Sequence, residues 1–124
     1  MAKTRNNSDY NLSYIKEFGE GDSFLLMIID LFLSSSKEDL ELFNKAFDTE
    51  DWNELGNLAH KMRSGAQHFK MVKLVKMLQE IELQCVQGIF NKDFKEHILM
   101  LNNYYFEIIE LLTEESLILI KSKG

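Results

Sequence analysis

Apolar residues recur along the chain at intervals of three and four, the period of one helical face. Leu12, Ile15 and Phe18 share one side of a short segment over residues 11 to 18, which ends at Gly19-Glu20-Gly21. A second segment begins at Asp22 or Ser23, either a fit N-cap. It carries Phe24, Ile28, Leu31, Phe32, Leu40, Phe43 and Phe47, with Ser34-Ser35-Ser36 as a candidate bend. A third starts near Thr49, where Asp48 to Asp51 place acids against the positive end of a helix dipole, and runs to His68 or Phe69. A fourth leaves about Met71, steps through Leu74, Leu78, Ile81 and Cys85, and stops at Gly88. A fifth goes from about Lys92 through Phe94, Ile98, Leu101, Tyr105, Ile108 and Leu112, with an extension toward Ile120. With connections of about two to five residues, neighbours run antiparallel. The pattern predicts an all-α fold, an antiparallel up-and-down four-helix bundle with a short additional N-terminal helix. Residues 1–9 are polar and unpatterned, a flexible tail or linker remnant, which leaves residues 10–121 as the domain.

Composition narrows the class of partner more than the fold. The 124 residues contain no proline, which suits helices joined by short turns. A formal charge of −6 opposes phosphate backbones and anionic lipid, so nucleic acid is not an expected partner. The single cysteine, Cys85, builds no disulfide framework, and the first residues lack a signal peptide's apolar core. The most apolar run, Phe24 to Leu33, carries Asp30 and falls well short of the roughly twenty residues that span a bilayer. The expectation is a cytoplasmic monomer without membrane insertion.

Candidate chemistry concentrates on the third segment. On a helical wheel with His60 at the origin, Leu55, Leu58, Met62, Ala66 and Phe69 fall between about 160° and 240°. His60 therefore faces solvent, with Gly56 one turn before it, Arg63 and Ser64 one turn after, Gln67 two turns after and Lys61 alongside. Gly56 and Gly65 each cost about 1 kcal/mol relative to alanine inside a helix, and close approach by another molecule is a reason to keep them. Gly56, Lys61, Ser64 and Gln67 are thus candidates for an approach face. Phe24, Leu25, Ile28 and Ile29 cover more than one face of their helix and form a candidate docking patch. His60 and His68 lack the four-residue spacing of a helical metal pair, so no metal site is expected. His97 reads as a solvated helix residue and Cys85 as core filler.

The string Leu58-Ala59-His60-Lys61-Met62-Arg63-Ser64-Gly65-Ala66, followed by Leu74, Met77 and Ile81, resembles the histidine-containing phosphotransfer (HPt) domain of multistep two-component relays. The likeness follows helix order from about Tyr10 to Leu112 and is specific over Leu58 to Glu82. It implies that His60 accepts a phosphoryl group, that Arg63 supports its charge, and that Glu82 on the next helix orients the histidine. The sequence departs from the family where Ser64 and Lys70 stand at its usual glycines. The implied partners are response-regulator receiver domains, with a hybrid sensor histidine kinase as a further one, and the implied Mg²⁺ is supplied by the receiver. A free imidazole is mostly neutral at pH 7 and offers a nitrogen lone pair without an activating base. No nucleotide-binding or kinase motif accompanies it, so ATP is not expected to label the chain directly. Two other readings fit the same bundle: a non-catalytic interaction module, and the phosphoacceptor domain of a chemotaxis-type kinase.

Overall fold

The computed structural model describes residues 10–12 and 21–123, with side chains through residue 121. Among these residues there are four helices and no strand: α1 (Asp22–Asp48), α2 (Trp52–His68), α3 (Val72–Gln87) and α4 (Lys92–Lys123). The short N-terminal helix expected over residues 11 to 18 and the tail over residues 1–9 lie almost wholly outside the described residues. Each helix packs against its neighbour in the chain, and α4 closes back on α1.

The intervals of three and four become the core. α1 buries Leu25, Ile29, Phe32, Leu40, Phe43 and Ala46, α2 contributes Leu55, Leu58, Met62 and Ala66, and α3 contributes Leu74, Leu78 and Ile81. From α4, Phe94, Ile98, Leu101, Tyr105, Ile108 and Leu112 are all buried, as their spacing predicts. Polar locks hold α1 against α4. The amides of Asn44 and Asn102 exchange bonds of 2.8 and 3.0 Å, and the Ser116 hydroxyl donates to Asp30 at 3.1 Å.

The docking patch expected on α1 is corrected. Leu25 and Ile29 are 1% and 0% exposed, and Phe24 and Ile28 are half-buried against the same core. The reason is length: α1 and α4 are 27 and 32 residues, against 17 and 16 for α2 and α3. The overhang needs another cover, and buried Tyr10 and Leu12 join the core. Tyr10 donates to the Glu115 carboxylate at 3.0 Å, and the Asn11 amide donates to the Phe69 carbonyl at 2.7 Å. The exposed apolar residues of this part of α1 are instead Met27 and Leu31.

Helix ends differ from expectation in detail. Gly21, at φ 84°, precedes α1 as its N-cap, and neither Asp22 nor Ser23 serves in that place. Ser34-Ser35-Ser36 sits inside one continuous helix. Thr49, read as a start, closes α1, its hydroxyl donating to the Lys45 carbonyl at 3.0 Å; Asp51 is the N-cap of α2 and accepts from the Glu54 amide at 3.2 Å.

Candidate phosphoacceptor site

His60 lies in the middle of α2 with its side chain 61% exposed. The buried residues of α2 occupy the opposite side, so packing the helix drives the imidazole outward. The neighbouring helix supplies its partner. Gly56 faces α3, where a Cβ added to it would stand 3.4 Å from Cys85 Cβ, and the small, fully buried Ala59 lies on the same flank. These small residues let the two backbones approach, and a glutamate on α3 can then reach across. Gly65 likewise meets Phe32 of α1, at 4.0 Å. Both are ordinary contact distances, so packing inside the bundle does not by itself demand glycine at either place; of the expected approach face, Gly56 is half-buried toward α3.

Glu82, Arg63 and His60 form a triangle. Glu82 Oε2 is 2.9 Å from His60 Nδ1, Glu82 Oε1 is 3.1 Å from Arg63 Nη2, and that same nitrogen is 2.9 Å from His60 Nδ1. A neutral imidazole carries one proton, so only one of the two contacts at Nδ1 is a hydrogen bond at a time. With the proton on Nδ1, the ring donates to Oε2 while Arg63 donates to Oε1, and both carboxylate oxygens are satisfied. With Nδ1 bare, Arg63 donates to both and Oε2 loses its donor. The first arrangement satisfies more groups and leaves the lone pair on Nε2, the nitrogen away from the triangle. Glu82 and Arg63 are 26% and 22% exposed, so the triangle works at lower polarity than open solvent. Among the described residues Arg63 Nε is buried without a partner, so the guanidinium is incompletely used by them.

Ser64 and Gln67 are exposed along the His60 side of α2. Lys61 is turned to α1, where its ammonium contacts Asp39 at 2.9 Å; that hydrogen bond, with the same carboxylate's charge, raises its pKa above the ordinary value. Asp39 is buried and also accepts from the Ser35 hydroxyl at 3.4 Å. Helical spacing alone gave no sign of this anchor, because an acid on the apolar stripe of α1 announces no partner. Beneath it, burial first and then the Asp39 charge push the Tyr105 hydroxyl pKa up.

Cys85 packs at the edge of the core, and burial, with the Glu82 charge behind it, pushes its thiol up to about 11. His97 is corrected from solvated to engaged: its Nδ1 lies 2.9 Å from the side-chain oxygen of the buried Gln84, tying α4 to α3. His68 is exposed at the end of α2.

The described helices thus present an exposed imidazole whose Nδ1 lies against a carboxylate from the next helix. Compared with known families, residues 27–114 match the Hpt domain, and the chain belongs to that family. Membership implies histidine phosphotransfer in two-component signalling and interaction with receiver domains of response regulators or hybrid kinases. No curated protein and no solved structure matches the chain. Among the described residues, no helix is long and apolar enough to cross a membrane.

Proposed function

We propose that this protein is a phosphorelay intermediate, taking a phosphoryl group onto His60 from the aspartyl phosphate of one receiver domain and passing it to an aspartate of another. The observation that carries this reading is the exposed imidazole whose Nδ1 is engaged by Glu82, which presents Nε2 as the nucleophile. The Nε2 lone pair forms the N–P bond as the P–O bond to the aspartate breaks, and the carboxylate leaves with the electron pair. Positive charge then grows on the ring, and Glu82 faces the Nδ1–H that carries it. Arg63 turns its guanidinium toward the phosphoryl oxygens, and the receiver supplies Mg²⁺. Ser64 and Gln67 lie under the incoming domain; Lys61 holds α2 to α1.

The bundle beneath this site runs up and down, a reading supported by connections of three or four residues and by pairing of α1 with α4. The protein acts as a cytoplasmic monomer, its partners being receiver domains, free-standing or within a hybrid sensor kinase. The test is labelling by phosphorylated receiver domains in Mg²⁺. Wild type gains an acid-labile, base-stable phosphoryl group and His60→Gln gains none while keeping its helical circular dichroism. Label on His60→Gln, or none on wild type from every receiver offered, rejects the relay.

A further inference from the structure

Charge is distributed unevenly along the chain. Between Glu54 and Glu80 there is no acidic residue, while Lys61, Arg63, Lys70, Lys73 and Lys76 provide five cations; elsewhere nine basic residues face all twenty acidic ones. This acid-free stretch is most of α2, the turn after it and the first half of α3. Lys61 is engaged by Asp39 of α1, and Lys73 lies 4.5 Å from the centre of the Tyr104 ring of α4. Lys70 and Lys76 line a shallow groove of about 290 Å³ where α2 meets α3, together with Gln67, Val72, Val75 and Gln79. Among the described residues no acidic side chain lines it, and Val72 is 57% exposed. α3 begins here with no acidic residue in its first turn, so the positive end of its dipole adds to the field.

Backbone conformation adds a second observation. Lys70 has φ 55°, the left-handed region in which an L side chain costs about 1–2 kcal/mol and glycine is at ease. The chain keeps a long cation at that place, on the groove. At the opposite end of α2, Asp48, Glu50, Asp51 and Glu54 are exposed and acidic. The potential along α2 therefore runs from negative at its start to positive at its end, with His60 between them and the groove beginning about 10 Å further along the axis, at Gln67.

We infer that this groove is the docking surface for the partner domain, and that the domain meets it with an acidic face carrying an apolar side chain. The inference rests on the relay reading and names the orientation of the complex: the partner covers His60 and the α2–α3 turn, and is repelled from the α1–α2 end. Lys70 and Lys76 steer the encounter, Val72 and Val75 form the apolar floor, and Arg63 lies between groove and imidazole.

The experiment uses the ¹⁵N-labelled full chain, purified receiver domains, and vesicles of phosphatidylserine as a second anionic surface. Addition of a receiver shifts the amide signals of Gln67, Lys70, Val72, Lys76 and Gln79 and leaves Asp48 to Glu54 unmoved. Lys70→Glu with Lys76→Glu slows association and transfer by about tenfold or more at low ionic strength, a loss that shrinks as salt is added, while Asp48→Lys causes no such loss. Shifts centred elsewhere, rates unchanged by the double reversal, or binding to vesicles in place of receivers overturn the docking surface. Transfer that survives the reversal leaves the relay standing, and docking in the groove without transfer removes the relay and keeps the surface. Neither binding nor transfer with every receiver removes both.

Discussion

Glu82 Oε2 stands 2.9 Å from His60 Nδ1, a contact between α3 and α2 that assigns the two ring nitrogens different tasks. On the relay reading proposed above, the engaged nitrogen holds the proton and the other is left for chemistry. That reading makes Glu82 a positioning residue, a role that can be tested without any transfer assay. Ring ¹⁵N shifts of wild type are expected to show the Nδ1–H tautomer in excess, with Glu82→Ala moving the population toward Nε2–H. Transfer to Glu82→Ala is expected to slow by about tenfold, equivalent to about 1.4 kcal/mol in the barrier. An unchanged tautomer ratio in the variant would remove this role from Glu82.

That contact depends on how closely α2 and α3 approach, and at Gly56 the approach leaves room for a methyl group but not for a long side chain. A methyl group at Gly56 would meet Cys85 Cβ at 3.4 Å, an ordinary contact. Gly56→Ala is therefore expected to fold at least as well as wild type, with a helix-propensity gain of up to about 1 kcal/mol. Gly56→Leu has no such room and should push α3 outward, carrying Glu82 from the imidazole. Urea unfolding and the His60 ring shifts test both substitutions; a Gly56→Leu protein with wild-type ring shifts contradicts the linkage.

Cys85, beside Gly56, should be a poor nucleophile. Its pKa is raised to about 11 from an ordinary value of 9.0, chiefly by burial. The thiolate at pH 8 is thus about a hundredfold scarcer than for a free thiol, and iodoacetamide should modify the native protein slowly and the urea-unfolded protein fast. The sign of the stability effect follows from linkage. The folded state holds this proton more tightly, so its contribution is complete below the unfolded value near pH 9 and falls as pH rises toward 11. Equal modification rates for native and unfolded protein would show the thiol open.

The outward direction of His60 was legible in the sequence, and its surroundings were not, for physical reasons. From Leu55 onward every large apolar residue of α2 falls on one side, so direction could be read from periodicity. The Glu82 contact could not, because it depends on the distance between two helix axes; only the likeness to a family suggested it. Leu25 and Ile29 looked like an excess of apolar surface because the overhang of α1 and α4, and the Tyr10 to Leu12 segment packed into it, are properties of the assembled chain. His97 looked solvated because its partner, Gln84, is on another helix. Helix ends were legible where glycine marks them, as at Gly88 with φ 69°, and blurred where it does not.

Two of those unmarked ends provide a paired test. α1 and α2 each finish with a left-handed residue other than glycine, Glu50 at φ 56° and Lys70 at φ 55°. The closing bonds are alike: the Asp51 amide donates to the Ala46 carbonyl at 2.9 Å, and the Met71 amide to the Ala66 carbonyl at 3.1 Å. The backbone strain is thus the same at both places, and replacing either residue by glycine relieves it. Glu50→Gly and Lys70→Gly are each expected to raise unfolding stability by about 1 kcal/mol, less whatever glycine's greater freedom in the unfolded chain takes back. The two should part company in association with a receiver. Lys70 lines the groove and Glu50 sits at the far, acidic end of α2, so only Lys70→Gly loses an attractive charge at the docking surface. Lower association rates for Lys70→Gly alone, alongside matched gains in urea midpoint, are the expected pattern. Equal association rates for both variants would mean that the cation at the end of α2 does not guide the partner.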